Sequence, residues 1–264
     1  MLQTLEVAYG PQTAVVWMNR PDQRNAMDPR MIAELTEVFG TLSRDGDVRA
    51  IVLAGRGKAF CAGADLNHMR ASASAPAAEN RADALALTTL LQLIYTCPKP
   101  TIARVHGHCL AGGMGLVAAC DIAVAAHEAR FGLSETRLGL IPAMISPFVL
   151  RAIGARAAGR WFLTGEQFDA AEAWRLGLVH ELAPADELDA GVNELLGAFM
   201  MTSPEAVADC KALVRDVAGA PIDDALMEDV AGRLASRRAS NDALEGMASF
   251  LEKRKPAWVP GQTQ

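Results

Sequence analysis

Paired cysteines are missing from this chain. Its five cysteines stand at positions 61, 97, 109, 120 and 210, an odd number with no Cys-x-x-Cys spacing. A disulfide framework is therefore not expected, and a reducing, cytoplasmic setting is. Positive charge is also short: 25 Lys and Arg against 31 Asp and Glu leave a net −6. That balance excludes a broad nucleic-acid surface but still allows a local basic pocket for a phosphorylated small molecule. No apolar run is long enough for a membrane span, because the apolar centre at 101–126 is interrupted by Arg104, His106, His108 and Asp121. Residues 1–6 show no basic segment leading into a long apolar one, so no signal peptide is expected. There is no internal repeat of fixed period. The nucleophile elbow G-x-S-x-G is absent too, since Gly132-Leu133-Ser134-Glu135-Thr136 lacks the second glycine.

What the chain does have is apolar mass. Of its 264 residues 51% are hydrophobic, enough to bury a substantial core and to exclude disorder. Leu5–Tyr9 and Thr13–Met18 read as strands joined at Gly10-Pro11. Asp28 then Pro29 reads as a helix cap and first turn, with Met31, Leu35, Val38, Phe39 and Leu42 at helical spacing up to Asp45-Gly46. Val48–Ala54 is nearly continuous in apolar residues, as a strand covered on both faces requires. Residues 71–78 are low in complexity and read as a solvated loop or a mobile lid. A helix from about 79 to 95 leads through Pro98 and Pro100 to another strand. Strand and helix signals recur through residue 126, which points to α/β layering with a largely parallel sheet. Beyond Pro184 the pattern is helical, with caps at Ser203 and Asn241.

Two glycine-bearing segments carry the chemistry. In one, the strand-like Thr101–Val105 runs into glycines 107, 112, 113 and 115, ahead of the helical pattern Leu116–Cys120. Glycines there let backbone approach a ligand and leave unpaired N–H groups at the positive end of a helix. Such a site suits a phosphate or an oxyanion formed during a reaction. Gly113-x-Gly115-x-x-Ala118 also fits a dinucleotide fingerprint, but several residues separate Val105 from Gly112, and Asp121 precedes the next apolar run instead of ending it. The second segment, Gly57–Leu66, follows the strand at 48–54. Two loops after two neighbouring strands could each offer one N–H to a shared oxygen, as an oxyanion hole requires. His106-x-His108 would share one face of a strand, yet no carboxylate or cysteine pair accompanies it, so no metal is expected.

Four segments stand in a telling order: Asn19-Arg20-Pro21 with Arg24-Asn25-Ala26; Phe60-Cys61-Ala62-Gly63-Ala64-Asp65-Leu66; Gly107 with Ala111-Gly112-Gly113 and Cys120-Asp121; and Phe131–Glu135 with Leu138-Gly139 and Ile141-Pro142. With the closing stretch 250–258 they resemble the crotonase (enoyl-CoA hydratase/isomerase) superfamily, over residues 5 to 258 or so. The resemblance implies an α/β crotonase-like spiral of ββα units making two roughly perpendicular sheets. Residues 1–200 would form the acyl-CoA-binding core, and 201–264 a C-terminal helical region that packs trimers, often paired into hexamers. It further implies that the amides of Ala64 and Gly112 hold the thioester oxygen of an acyl-CoA and that Glu135 carries the proton. Arg24, Ala26, Cys61, Ala62, Asp65, Leu66, Gly113, Gly115 and Met144 would line the acyl-CoA. Lys253 either reaches the nucleotide of a neighbouring subunit or ends a helix in solvent. No separate cofactor is implied, coenzyme A being part of the substrate.

Two departures from the family pattern matter. Typical hydratases carry a second glutamate where this chain has Gly115, whereas the family's Δ3,Δ2-isomerases keep only the one matching Glu135. Ala143–Pro147 stands where hydratases have a glycine-rich turn, so bulkier side chains should reshape the acyl pocket. Met114–Val117, Leu133–Arg137 and Ile141–Phe148 are similar to bacterial hydratases of methylglutaconyl-CoA and isohexenylglutaconyl-CoA. Such substrates carry a distal carboxylate, for which His68, Arg81 and His108 are candidate partners. The resulting expectation is a hydratase. An isomerase, or an acyl-CoA-binding scaffold without turnover, stands beside it.

Overall fold

A hairpin opens the chain: β1 (Leu5–Gly10) and β2 (Thr13–Met18) pair antiparallel from Leu5↔Met18 to Gly10↔Thr13. Helix α1 (Pro29–Leu42) starts where the sequence predicts, because the Asp28 carboxylate accepts from Met31 N at 2.8 Å and Pro29 needs no partner for its nitrogen. The computed structural model describes residues 1–261, so the last three residues of the expected helical region lie outside the described residues.

From α1 onward the chain winds. One turn comprises β3 (Ala50–Gly55), β4 (Ala59–Cys61), α2 (Leu66–Ser72) and α3 (Ala77–Thr96). The next has β5 (Thr101–Val105), β6 (His108–Leu110) and α4 (Gly112–Ala119). A third has β7 (Ile122–Ala126), β8 (Arg130–Gly132), a 3-10 turn over Glu135–Leu138 and α5 (Ser146–Thr164). Then come β9 (Gln167–Asp169), α6 (Ala170–Arg175), β10 (Glu181–Ala183) and α7 (Leu188–Met200). Each winding lays one strand in a six-stranded sheet, order β1-β2-β3-β5-β7-β10, and the next in a four-stranded sheet, order β4-β6-β8-β9. Neighbouring strands are parallel from β2 through β10 in the first sheet and from β4 through β8 in the second. This is the α/β crotonase fold expected from the motifs.

All six residues of β3 are buried, as its unbroken apolar run requires. The main core lies between this sheet and helices α1, α3, α4 and α5, with Phe39, Phe60 and Phe131 among its fully enclosed side chains. A second cluster forms on the other face, where Leu188 and Val192 of α7 cover Val52, Ile102 and Val124.

Three local expectations change. The glycines at 112, 113 and 115 lie inside α4, not ahead of it. The low-complexity stretch 71–78 is loop only over 73–76, since α2 reaches Ser72 and α3 begins at Ala77; alanine is the best helix former and lets both helices run into it. His106 falls between β5 and β6, with its Nε2 2.9 Å from Gly57 O, so it does not share a strand face with His108.

After α7 come α8 (Pro204–Val217), α9 (Asp224–Arg238) and α10 (Asn241–Leu251), the last capped by Ser240 in place of Asn241. Polar ties hold this part to the core. Arg49 donates to the carbonyls of Phe199, Met200, Thr202 and Trp258, and Lys211 of α8 meets Asp121 at 2.6 Å. Neither α8 nor α9 contains a fully buried residue.

Candidate active site

Three parallel strands of the smaller sheet end together. β4 runs into Ala62-Gly63-Ala64, β6 into Ala111-Gly112, and β8 into Leu133-Ser134-Glu135. Adjacent strands lie about 4.8 Å apart, so residues following three neighbouring carboxyl ends are delivered to one small area. The same arrangement places ligands at the carboxyl ends of strands in other α/β sheets.

The first loop is pinned from below. Met27 N donates to Gly63 O at 2.7 Å, Asp65 N to Met27 O at 2.8 Å, and Ala62 N to Arg24 O at 3.0 Å. These bonds bracket Ala64 and leave its own N–H with no partner among the described residues. Segment 24–27 is itself held by Asn25, which is fully buried with a left-handed φ of 55°. Its side chain accepts from Arg20 N and donates to the carbonyls of Arg56 and Ala59. An amide suits this position because it both donates and accepts and tolerates the left-handed region. Arg20 adds a charged tie, with its guanidinium 3.0 Å from Asp65 and 3.3 Å from Asp28. Asp65 also caps α2 through Asn67 N and His68 N. Although burial alone would raise its pKa, these hydrogen bonds and Arg20 hold the carboxyl below the ordinary value.

Close packing sets the second loop. Ala111 adopts φ 47° and ψ −116°, a strained conformation for a residue with a Cβ. Its N–H donates to Gly132 O at 2.8 Å, which ties the end of β6 to the strand that leads to Glu135. Gly112 begins α4, and its N–H has no partner among the described residues. A Cβ on Gly63 would stand 3.1 Å from Ala111 Cβ, and one on Gly112 only 2.3 Å from Met27 Cε. Met27 thus pairs with Ala64 on one side and packs against Gly112 on the other, joining the two loops that carry the unpaired amides.

Glu135 opens the 3-10 turn after β8 and is half-buried. Its Oε2 is enclosed and has no hydrogen-bond partner. Burial pushes this carboxyl above the ordinary carboxylate value, and a bond from its own backbone offsets that only in part. A carboxyl of raised pKa beside two unpaired amides can move a proton while the amides stabilise charge on an oxygen.

The remaining expected residues sort by exposure. Ala62 is half-buried; Leu66 and Arg24 are exposed, and Met144 is 36% exposed. Ala26 is buried and its carbonyl accepts from Arg20. Cys61 is enclosed against Gly113, its thiol pushed up to about 12 by burial. Gly113 and Gly115 are buried inside α4, away from solvent. Lys253 lies exposed beyond α10 at a left-handed φ of 58°. His68 faces Asp83 at 2.9 Å, linking α2 to α3. His108 begins β6, three residues or roughly 10 Å of strand before Ala111. Sequence reasoning missed Arg20 and Met27 as parts of this site. Arg20 stood in a quoted motif, but only contacts reveal the work of Met27. No group of three or more His, Cys, Asp or Glu that could hold a metal occurs among the described residues.

Comparison with known proteins gives the family. Residues 11–261 match the family described as enoyl-CoA hydratase/isomerase. A Thermus thermophilus protein named as an enoyl-CoA hydratase is 38% identical over 248 residues, covering 92% of this chain and 96% of its own. Among solved structures, an enoyl-CoA hydratase from Shewanella pealeana is 39% identical with a TM-score of 0.95, covering 97% of this chain and 96% of that one. Pseudomonas aeruginosa AtuE is 39% identical with a TM-score of 0.93, covering 97% of this chain and 100% of its own. With this fold and matches along nearly its whole length, the chain belongs to the enoyl-CoA hydratase/isomerase family.

Proposed function

We propose that this protein adds water to a 2-enoyl-CoA thioester. The carrying observation is half-buried Glu135, its enclosed Oε2 without a partner, on the loop after β8, next to the loops after β4 and β6 whose Ala64 and Gly112 amides are unpaired. In this reading the two amides hold the thioester oxygen as it gains charge. Ionised Glu135 takes a proton from water as the water oxygen bonds to C3, then returns that proton to C2. The names of the T. thermophilus and S. pealeana relatives support hydration.

The substrate we favour is a branched glutaconyl-CoA of the methylglutaconyl type, on the likeness of the segments around Gly115, Glu135 and Met144. His68 is already paired with Asp83, so exposed Arg81 is the better partner for a distal carboxylate. Arg24, the 61–66 backbone and Lys253 of another copy would hold the coenzyme A portion. Self-association through residues 201–264 fits the exposed apolar side chains there, among them Val214, Ile222, Met227, Phe250 and Leu251. It also fits the openness of the site in one chain, where Ala64 and Leu66 are exposed. Light scattering on the purified protein tests for a trimer or a pair of trimers.

One experiment decides the reaction. The protein is incubated in 18O-labelled water with 2-enoyl- and 3-enoyl-CoA esters, methylglutaconyl-CoA included, and products are followed by mass. A labelled 3-hydroxyacyl-CoA supports hydration. A shifted double bond without label supports the isomerase reading, which a site with one acid favours. Tight binding without turnover, unchanged by Glu135→Gln, would leave only a scaffold.

A further inference from the structure

Positions 115 and 145 compete for one space. Gly115 lies one turn beyond Gly112 on the same face of α4 and is buried. A Cβ added there would stand 2.3 Å from Ile145 Cγ2, 2.9 Å from Ile145 Cβ and 3.4 Å from Leu91 Cδ1. One on Gly112 would meet Met27 Cε and, at 3.9 Å, Leu87 Cδ2. The face of α4 that starts with the free Gly112 amide is therefore walled by Met27, Leu87, Leu91 and Ile145, side chains without nitrogen or oxygen. Ile145 is 2% exposed and closes the segment that Glu135 opens, directly ahead of α5.

We infer that Ile145 is a specificity-determining residue, setting the depth and the dryness of the acyl pocket beside Glu135. The inference rests on the acyl-CoA reading above and deepens it. A β-branched side chain holds its rotamer firmly, so this wall is stiff where a linear side chain would yield. With Ile145 in place, an acyl group can extend only away from α4. No additional side chain from position 115 fits beside Ile145. Ile145→Ala removes three carbons from this wall and opens the pocket toward α4, while Ile145→Val removes one.

Two measurements test this on the full-length protein. The first is kcat/KM for Ile145→Val and Ile145→Ala over 2-enoyl-CoA esters that differ in chain length and in branching at C3. The expected result is at least a tenfold rise in the ratio of bulky to four-carbon esters for Ile145→Ala, with Ile145→Val between it and wild type. The second is the Tm of Gly115→Ala in the wild-type and Ile145→Ala backgrounds, where the drop should shrink by half or more once Ile145 is cut back. An unchanged ester ratio in folded Ile145→Val and Ile145→Ala protein would overturn the inference, as would equal Tm losses in both backgrounds. If wild-type protein turns over no ester at all, the acyl-CoA reading fails instead, and the Tm cycle still decides whether the two positions share a space.

Discussion

Replacing Glu135 by glutamine should make the protein more stable and nearly inactive, and the stability gain should depend on pH. Oε2 of Glu135 is enclosed without a partner, and leaving such a group unsatisfied costs about 1–3 kcal/mol, more when it is charged. Burial raises its folded-state pKa above the ordinary value of 4.5. A group whose folded pKa is raised favours the fold while protonated, and that advantage is lost as pH rises through the folded pKa. Below the unfolded value, wild type and Glu135→Gln carry the same charge and should melt together. At neutral pH only the wild type holds a buried carboxylate, so the variant should melt higher by roughly 2–4 °C for each kcal/mol relieved. Removing the proton carrier should lower kcat by about 10²–10⁴-fold. Calorimetry at pH 3.5 and 7.5, with turnover measured at pH 7.5, gives both numbers. A variant less stable than wild type at pH 7.5, or a Tm difference that does not change with pH, would refute the reasoning.

Other consequences follow from the same geometry. Because water activation needs ionised Glu135, kcat/KM should fall on the acid side at a pH above the ordinary carboxylate range, and Glu135→Asp should keep such a limb. Ala64→Pro removes an N–H that no backbone bond uses; kcat should drop by about 10²–10³-fold while circular dichroism shows the fold retained. Arg20→Ala strips the charge partner from Asp65, which is 7% exposed, and should destabilise the loop by about 3 kcal/mol. Lysine there should not rescue, since one ammonium cannot match the guanidinium fork. Alkylation of the native protein followed by mass spectrometry should label exposed Cys210 first and leave enclosed Cys61, Cys97 and Cys109 untouched. Early labelling of Cys61 would contradict the packing at Gly113.

Much of this architecture is legible in one dimension, for a physical reason. Strand β3 declares itself because a strand covered on both faces must be apolar at every position. Helix α1 does so because Asp28-Pro29 supplies a cap and a first turn that depend on neighbours in sequence alone. Motif order was enough to indicate the family. Local chemistry cannot show which distant atoms fill a space. The glycines of α4 look like a flexible approach to a ligand, yet Gly113 and Gly115 lie inside the helix, packed against Cys61, Leu91 and Ile145. Asp65 reads as a substrate contact, but only the folded chain sets Arg20 against it across 45 residues. The unpaired state of Glu135 Oε2 and of the two amides is likewise a tertiary fact. A group is left without a partner only by the arrangement of everything around it, and no stretch of neighbouring residues contains that information.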